Sequence, residues 1–197
     1  MRRLVAALAL AALTACTTPT APTQPPTSAS SSPSASSSAT ASPTCTLGTG
    51  APKPCTTKEF EQEQFTAEAM DVYRRWIKEA NRLYLAGGTL TATDEMKATL
   101  SGDFLKSALG VFSDMKQAGV RAVSGEVRIV TLTAKTPESA GTAAFTACED
   151  GSSLIFKRGG KTINRGTFAE EDIVAKRVDG VTVLVAASSE AVAKCAG

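Results

Sequence analysis

Residues 17–44 contain only Ser, Thr, Pro and Ala, apart from Gln24. Such a segment has too little apolar surface for its burial to offset the entropy of ordering a chain, so it is read as a tether. Six of its 28 residues are proline, which predicts a reach of up to about 85 Å as a polyproline helix and nearer 30 Å as a flexible coil. Whatever folds must therefore come from the residues beyond it, 45–197, which is the length of one domain.

Residues 1–15, ahead of the tether, have the parts of an export signal. Arg2 and Arg3 form a cationic start, residues 4–13 are an unbroken Leu, Val and Ala run, and the small residues Thr14 and Ala15 follow. Ten apolar residues are half of the roughly 20 that a membrane-spanning helix needs. Leu13, Thr14, Ala15 and Cys16 then match, position by position, the lipobox of bacterial lipoproteins, and the chain resembles that family. The resemblance implies cleavage before Cys16, a diacylglyceryl group on its thiol and a further acyl chain on the new amino group. Several buried chains, at about 0.8 kcal/mol per methylene, anchor stably where one is marginal. Ordinary secretion with cleavage near Ala11, leaving Cys16 a free thiol, is the competing reading.

The chain has five cysteines, Cys16, Cys45, Cys55, Cys148 and Cys195. An odd number in an exported protein leaves one without a partner, and lipidation of Cys16 accounts for it. The other four allow three connectivities, and sequence alone does not choose among them. Cys45 with Cys55 and Cys148 with Cys195 is the favoured set, with loop-entropy contributions of up to about 3 and about 4 kcal/mol. No Cys-x-x-Cys occurs and the chain has no histidine, so no metal site is expected.

The folded part begins with a strong helix signal. Thr56 and Glu59 have capping-box spacing. Phe65, Ala69, Val72, Tyr73, Trp76, Ile77, Ala80, Leu83 and Tyr84 then recur at steps of three and four, and Gly87-Gly88 stops the pattern. Asp71 with Arg75 and Arg75 with Glu79 have the spacing of solvated i,i+4 pairs. A short second helix fits residues 93–100. A third is predicted over 103–118, with Phe104, Leu105, Ala108, Phe112 and Met115 on one stripe and Gly119 at its end.

Beyond Gly119 the period changes to alternation. Strands are predicted over 126–134, 142–148, 153–158, 168–178 and 181–187, with residues 159–166 left as a loose segment. Asp179-Gly180 is a two-residue hairpin loop. Gly159-Gly160-Lys161-Thr162 lacks the first glycine of a phosphate loop at the required spacing and is also read as a hairpin loop. Helices followed by an antiparallel sheet define an α+β domain with the helices on one face.

That element order resembles the NTF2-like (cystatin-like) cone, and in particular the small NTF2-like lipoproteins of actinobacteria. In those a Cys-Glu/Asp-Asp/Gly strand turn and a cysteine at the chain end pair; the matching residues are Cys148, Glu149, Asp150, Gly151 and Cys195. Val181 stands where that family often has Trp. The resemblance implies a curved antiparallel sheet with N-terminal helices packed on it. The whole chain then divides into a lipoprotein signal peptide (1–15), lipidated Cys16 with its linker (16–44), a short disulfide loop (45–55) and an NTF2-like domain (56–197).

Without Arg2 and Arg3 the mature chain has 19 basic and 19 acidic residues and is close to neutral. Nucleic acid, which requires a basic face, is not an expected partner. The absence of histidine removes Ser/His and Cys/His nucleophile pairs, so no catalytic residue and no cofactor is assigned. NTF2-like enzymes place carboxylates and tyrosines in the cone, which brings forward Asp150, Tyr73, Trp76 and Tyr84 as candidate pocket residues. Their expected roles are structural, Asp150 in a turn and the aromatics in the core. The reading is a lipid-anchored, extracytoplasmic, non-catalytic binding module with an envelope-protein or cell-wall partner. Its alternatives are a carrier of a small apolar ligand and, third, a lyase or isomerase.

Overall fold

In the computed structural model the described residues are 42–46 and 51–195. The leader, Cys16 and residues 17–41 of the tether lie outside them. Two short strands, β1 (Thr44–Cys45) and β2 (Lys53–Pro54), pair antiparallel beside the Cys45–Cys55 disulfide.

Helix α1 (Thr57–Ala86) starts at the capping box. Thr56 Oγ1 accepts from the Glu59 N–H at 3.2 Å, and Glu59 Oε2 accepts from the Thr56 N–H at 2.7 Å, satisfying two donors that the first turn leaves free. Gly87 closes it in the left-handed conformation. The apolar stripe is buried as its spacing requires, with Tyr73 fully enclosed. The i,i+4 ion pairs expected on the polar side do not form. Asp71 pairs with Arg74 and Arg75 with Glu95, while Glu79 takes Arg82 and the Thr93 hydroxyl. Glu79 is buried, and Thr93 is the N-cap of the next helix, so packing against that helix decides its partners.

Helix α2 (Asp94–Thr99) is capped by Thr93, and α3 (Gly102–Ala118) ends at Gly119. The link between them is fixed to the sheet, where the Ser101 N–H donates to the Leu184 carbonyl at 2.9 Å.

Seven further strands follow: β3 (Val120–Ser124), β4 (Arg128–Lys135), β5 (Thr142–Asp150), β6 (Ile155–Arg158), β7 (Lys161–Arg165), β8 (Phe168–Val178) and β9 (Val181–Val192). They form two antiparallel sheets, ordered β4-β5-β8-β9 and β3-β6-β7. β3 and β7 correct the sequence reading, which has no strand over 120–124 and leaves 159–166 loose. Gly159-Gly160 is the tight link between β6 and β7, with Arg158 opposite Lys161. Asp179 and Gly180, at φ 51° and 79°, make the turn between β8 and β9.

On the helix-facing side of the larger sheet, Phe145 and Ala147 of β5 and Ile173 and Ala175 of β8 recur at every second position, joined by Leu184 of β9. All five are essentially inaccessible to solvent, and they form one core with the α1 stripe, Met96, Leu100, Ala108 and Phe112. Burying a side chain the size of Leu83, Phe112 or Phe145 contributes about 1.5–3 kcal/mol. In β4 a register shift between Ile129 and Thr131 breaks the predicted alternation: Ile129, Leu132 and Ala134 pack against the core, and Val130 is left exposed.

Candidate functional site

The alternation that buries Phe145 and Ala147 continues for one more step, and the next residue on that face is Glu149. In β8 the residue preceding Ile173 and Ala175 on the same face is Glu171. Register sets Ala147 opposite Glu171 and Glu149 opposite Ala169, so the two glutamates are diagonal neighbours on the helix-facing side. Above them α1 supplies Tyr73, whose ring meets Phe145 edge-on at 5.5 Å.

The Tyr73 hydroxyl donates to Glu149 Oε1 at 2.6 Å and lies 3.0 Å from Glu171 Oε2. A phenol has one proton to give. Both contacts are hydrogen bonds only when one carboxyl is protonated and donates back to the phenol oxygen, so the geometry calls for one shared proton on the pair. The electrostatics agree. Burial, followed by the charge of Glu171, pushes the Glu149 carboxyl up to about 7, against the opposing hydrogen bond from Tyr73. Burial also raises Glu171, against hydrogen bonds from Tyr73 and Ser189. The Tyr73 hydroxyl is held far above the ordinary phenol range, first by burial and then by the two glutamates, and Tyr84 is pushed up to about 12 by the same causes.

Both glutamates line a cavity of about 410 Å³ between α1, α3 and the sheet. Its walls are largely apolar: Trp76 and Tyr84 from α1, Phe104 and Phe112 from α3, and Val127 just before β4. The rings brace one another, with Trp76 6.0 Å from Phe104 and 6.1 Å from Phe112, and Tyr84 5.1 Å from Phe112. Asn81 fixes the β4 entry by a reciprocal pair, accepting from the Val127 N–H at 2.8 Å and donating to the Val127 carbonyl at 2.9 Å. Apolar walls with a few convergent polar groups are the usual make-up of a small-molecule site.

Of the candidate pocket residues, Trp76 and Tyr84 line this cavity, while Tyr73 lies outside the lining and holds the two glutamates from behind. Asp150 does not belong to the lining. It follows Glu149 on the strand and so faces the other way, where Arg128 donates to it at 3.1 Å and it accepts from the Ser152 N–H at 2.9 Å. Those bonds, led by Ser152, keep its carboxyl below the usual range. Glu149 and Glu171 take the place given to Asp150. Their signal is in the sequence: each is an acid in phase with an apolar series, Phe145-Ala147-Glu149 and Glu171-Ile173-Ala175. The Cys148–Cys195 disulfide joins β5 to the chain beyond β9. Among the described residues no group of acidic, Cys or His side chains is arranged to hold a metal ion, and no helix is long and apolar enough to cross a membrane.

No protein-family model matches the chain, and no curated protein matches it significantly. Among solved structures it is similar to the intermembrane space region of the chloroplast protein ARC6, at 14% identity over 64% of this chain and 97% of that one, with a TM-score of 0.47. It is also similar to an NTF2-like protein from Cytophaga hutchinsonii, at 9% identity over 70% of this chain and 100% of that one, with a TM-score of 0.43. At these scores neither likeness assigns a function, and the α+β architecture rests on the chain's own elements and register.

Proposed function

We propose that the mature protein is a lipid-anchored module on the outer face of a membrane, whose NTF2-like domain binds a small, largely apolar ligand. The observation that carries the reading is the cavity of about 410 Å³, with aromatic walls and a hydrogen-bonding floor. A module acting only through its outer surface has no use for a partly desolvated acid pair, which lowers stability where both groups ionise. The anchor follows from the lipobox resemblance at Leu13 to Cys16, and the tether of residues 17–44 gives the domain reach from the lipid surface.

Native mass spectrometry on the protein purified from an envelope extract tests the ligand. The expected result is a reproducible added mass of a few hundred daltons, absent in Ser107→Trp, which places a large ring at the cavity wall. A clean apo mass in both proteins would contradict the reading. For the anchor, Cys16→Ser is expected to abolish acyl labelling and release the protein from membranes, and unchanged labelling would contradict lipidation.

A second reading is favoured by one observation. A carboxyl that titrates near 7 beside a neutral phenol has the properties of a general acid/base, as in a lyase or isomerase. That role falls to Glu149, since Asp150 lies outside the cavity. An activity of this class that survives Glu149→Gln unchanged would remove it.

A further inference from the structure

The cavity's ionisable groups are all of one kind. Asp103 from α3, Glu149 from β5 and Glu171 from β8 line it together with Tyr84, Tyr73 lies behind the two glutamates, and β9 adds only uncharged residues, Ala186, Ala187 and Ser189. Among the described residues no Lys or Arg is in the lining. Arg128, which stands opposite Asp150 on the neighbouring strand, is engaged with that residue on the other face of the sheet. Glu149 is more than nine-tenths buried, yet among the described residues its one hydrogen bond is that from Tyr73 at Oε1. Oε2 has no donor among the described residues, in a residue that lines the cavity. That oxygen is open to the cavity, so its donor comes from whatever occupies the space, water or a ligand.

The walls add a second, independent preference. Trp76, Tyr84, Phe104 and Phe112 surround the space with aromatic rings, whose faces attract a cation within about 6 Å of the centroid. An anionic ligand would meet like charge on three elements and no base. A neutral apolar ligand would leave the free oxygen of Glu149 unsatisfied.

We propose that the cavity takes an organic ammonium ion, with its apolar body against Trp76, Phe104 and Phe112 and its nitrogen at Glu149 and Glu171. This deepens the ligand-binding reading and rests on it. The shared proton of the glutamate pair is the ligand's competitor. When the ammonium docks, that proton leaves to solvent, the Tyr73 hydroxyl stays on one carboxylate, and the ammonium N–H groups take the oxygens set free. One proton released per ligand around pH 7 predicts an affinity that rises about tenfold from pH 6 to pH 8.

Three probes of one shape decide the matter: 1-adamantylmethylamine, 1-adamantylmethanol and 1-adamantanecarboxylate, titrated into the purified protein. Trp76 is the single tryptophan of the chain and lines the cavity, so its fluorescence reports occupancy. The expected result is that the amine binds at least tenfold tighter than the alcohol at pH 8, that the carboxylate does not bind, and that the amine alone shows the pH dependence. In the Glu149→Gln, Glu171→Gln double variant the amine is expected to fall to the alcohol's affinity. Equal binding of amine and alcohol to the wild-type protein would overturn the ammonium assignment and leave the apolar-ligand reading intact. Binding of none of the three would overturn the assignment too, and a clean apo mass from envelope material would then remove the ligand reading with it.

Discussion

At the scale of single residues, the protein is defined by an acid pair that its fold keeps from ionising freely. Among the described residues Tyr73 is the one hydrogen-bond partner of Glu149, so Tyr73→Phe strands that buried carboxyl and is expected to cost about 1–3 kcal/mol, read by denaturant unfolding, while Glu171 keeps Ser189. The pH dependence has a definite sign. A carboxyl whose folded pKa is raised binds more protons in the folded chain than in the unfolded one between about 4.5 and about 7. Stability is therefore lost as pH rises through that window, by up to about 3 kcal/mol from Glu149, and Glu171 acts in the same direction. The carboxyls held low by their partners, Asp150 and Asp172 among them, act in the opposite sense and only below their ordinary range. Unfolding midpoints at pH 5 and pH 7.5 should show this loss, and Glu149→Gln should flatten it. An unchanged slope in the variant would assign the loss elsewhere.

At the scale of elements, legibility followed burial. The helices could be read because local signals agree with one another: a capping box, an apolar stripe and a glycine stop in α1, a threonine N-cap in α2, and an apolar stripe and a glycine stop in α3, which is the consistency a folding sequence needs. β3 and β7 could not. In β3 only Ala122 is buried, and in β7 every residue is exposed, so pairing with β6 rather than a pattern of their own makes them strands. The site was half legible for a related reason. Tyr73, Trp76 and Tyr84 stand out on the helix stripe, but Asp150-Gly151 looks like a turn and hides the fact that β5 runs on through Glu149. Two glycines test the helix packing. At Gly88, φ is +83° and a Cβ would sit 2.0 Å from the Phe112 carbonyl oxygen, so Gly88→Ala is expected to destabilise by more than about 2 kcal/mol. Gly110 lies inside α3 with open space around it, so Gly110→Ala should stabilise by about 0.5–1 kcal/mol. Thermal unfolding of the two variants should move in opposite directions.

For the whole molecule, the two disulfides play unequal parts. Cys45–Cys55 spans 10 positions and Cys148–Cys195 spans 47, so replacing the second pair with serine should cost more, up to about 4 kcal/mol against about 3. Cys148 also immediately precedes Glu149, and Cys195 follows β9, the neighbour of β8 in the sheet. Loss of that bond is therefore expected to weaken amine binding as well as stability, whereas loss of Cys45–Cys55 should leave binding unchanged. The cavity, the acid pair and the bond beside it thus depend on one sheet. The central claim is that Tyr73, Glu149 and Glu171 hold one proton in common at the cavity floor, and carboxyl 13C NMR titration of glutamate-labelled protein measures this directly. One glutamate signal with a midpoint near 7, absent in Glu149→Gln, is the predicted result. Glutamate midpoints all below about 5 would contradict it, as two ordinary carboxylates would then flank a hydroxyl with one proton to give.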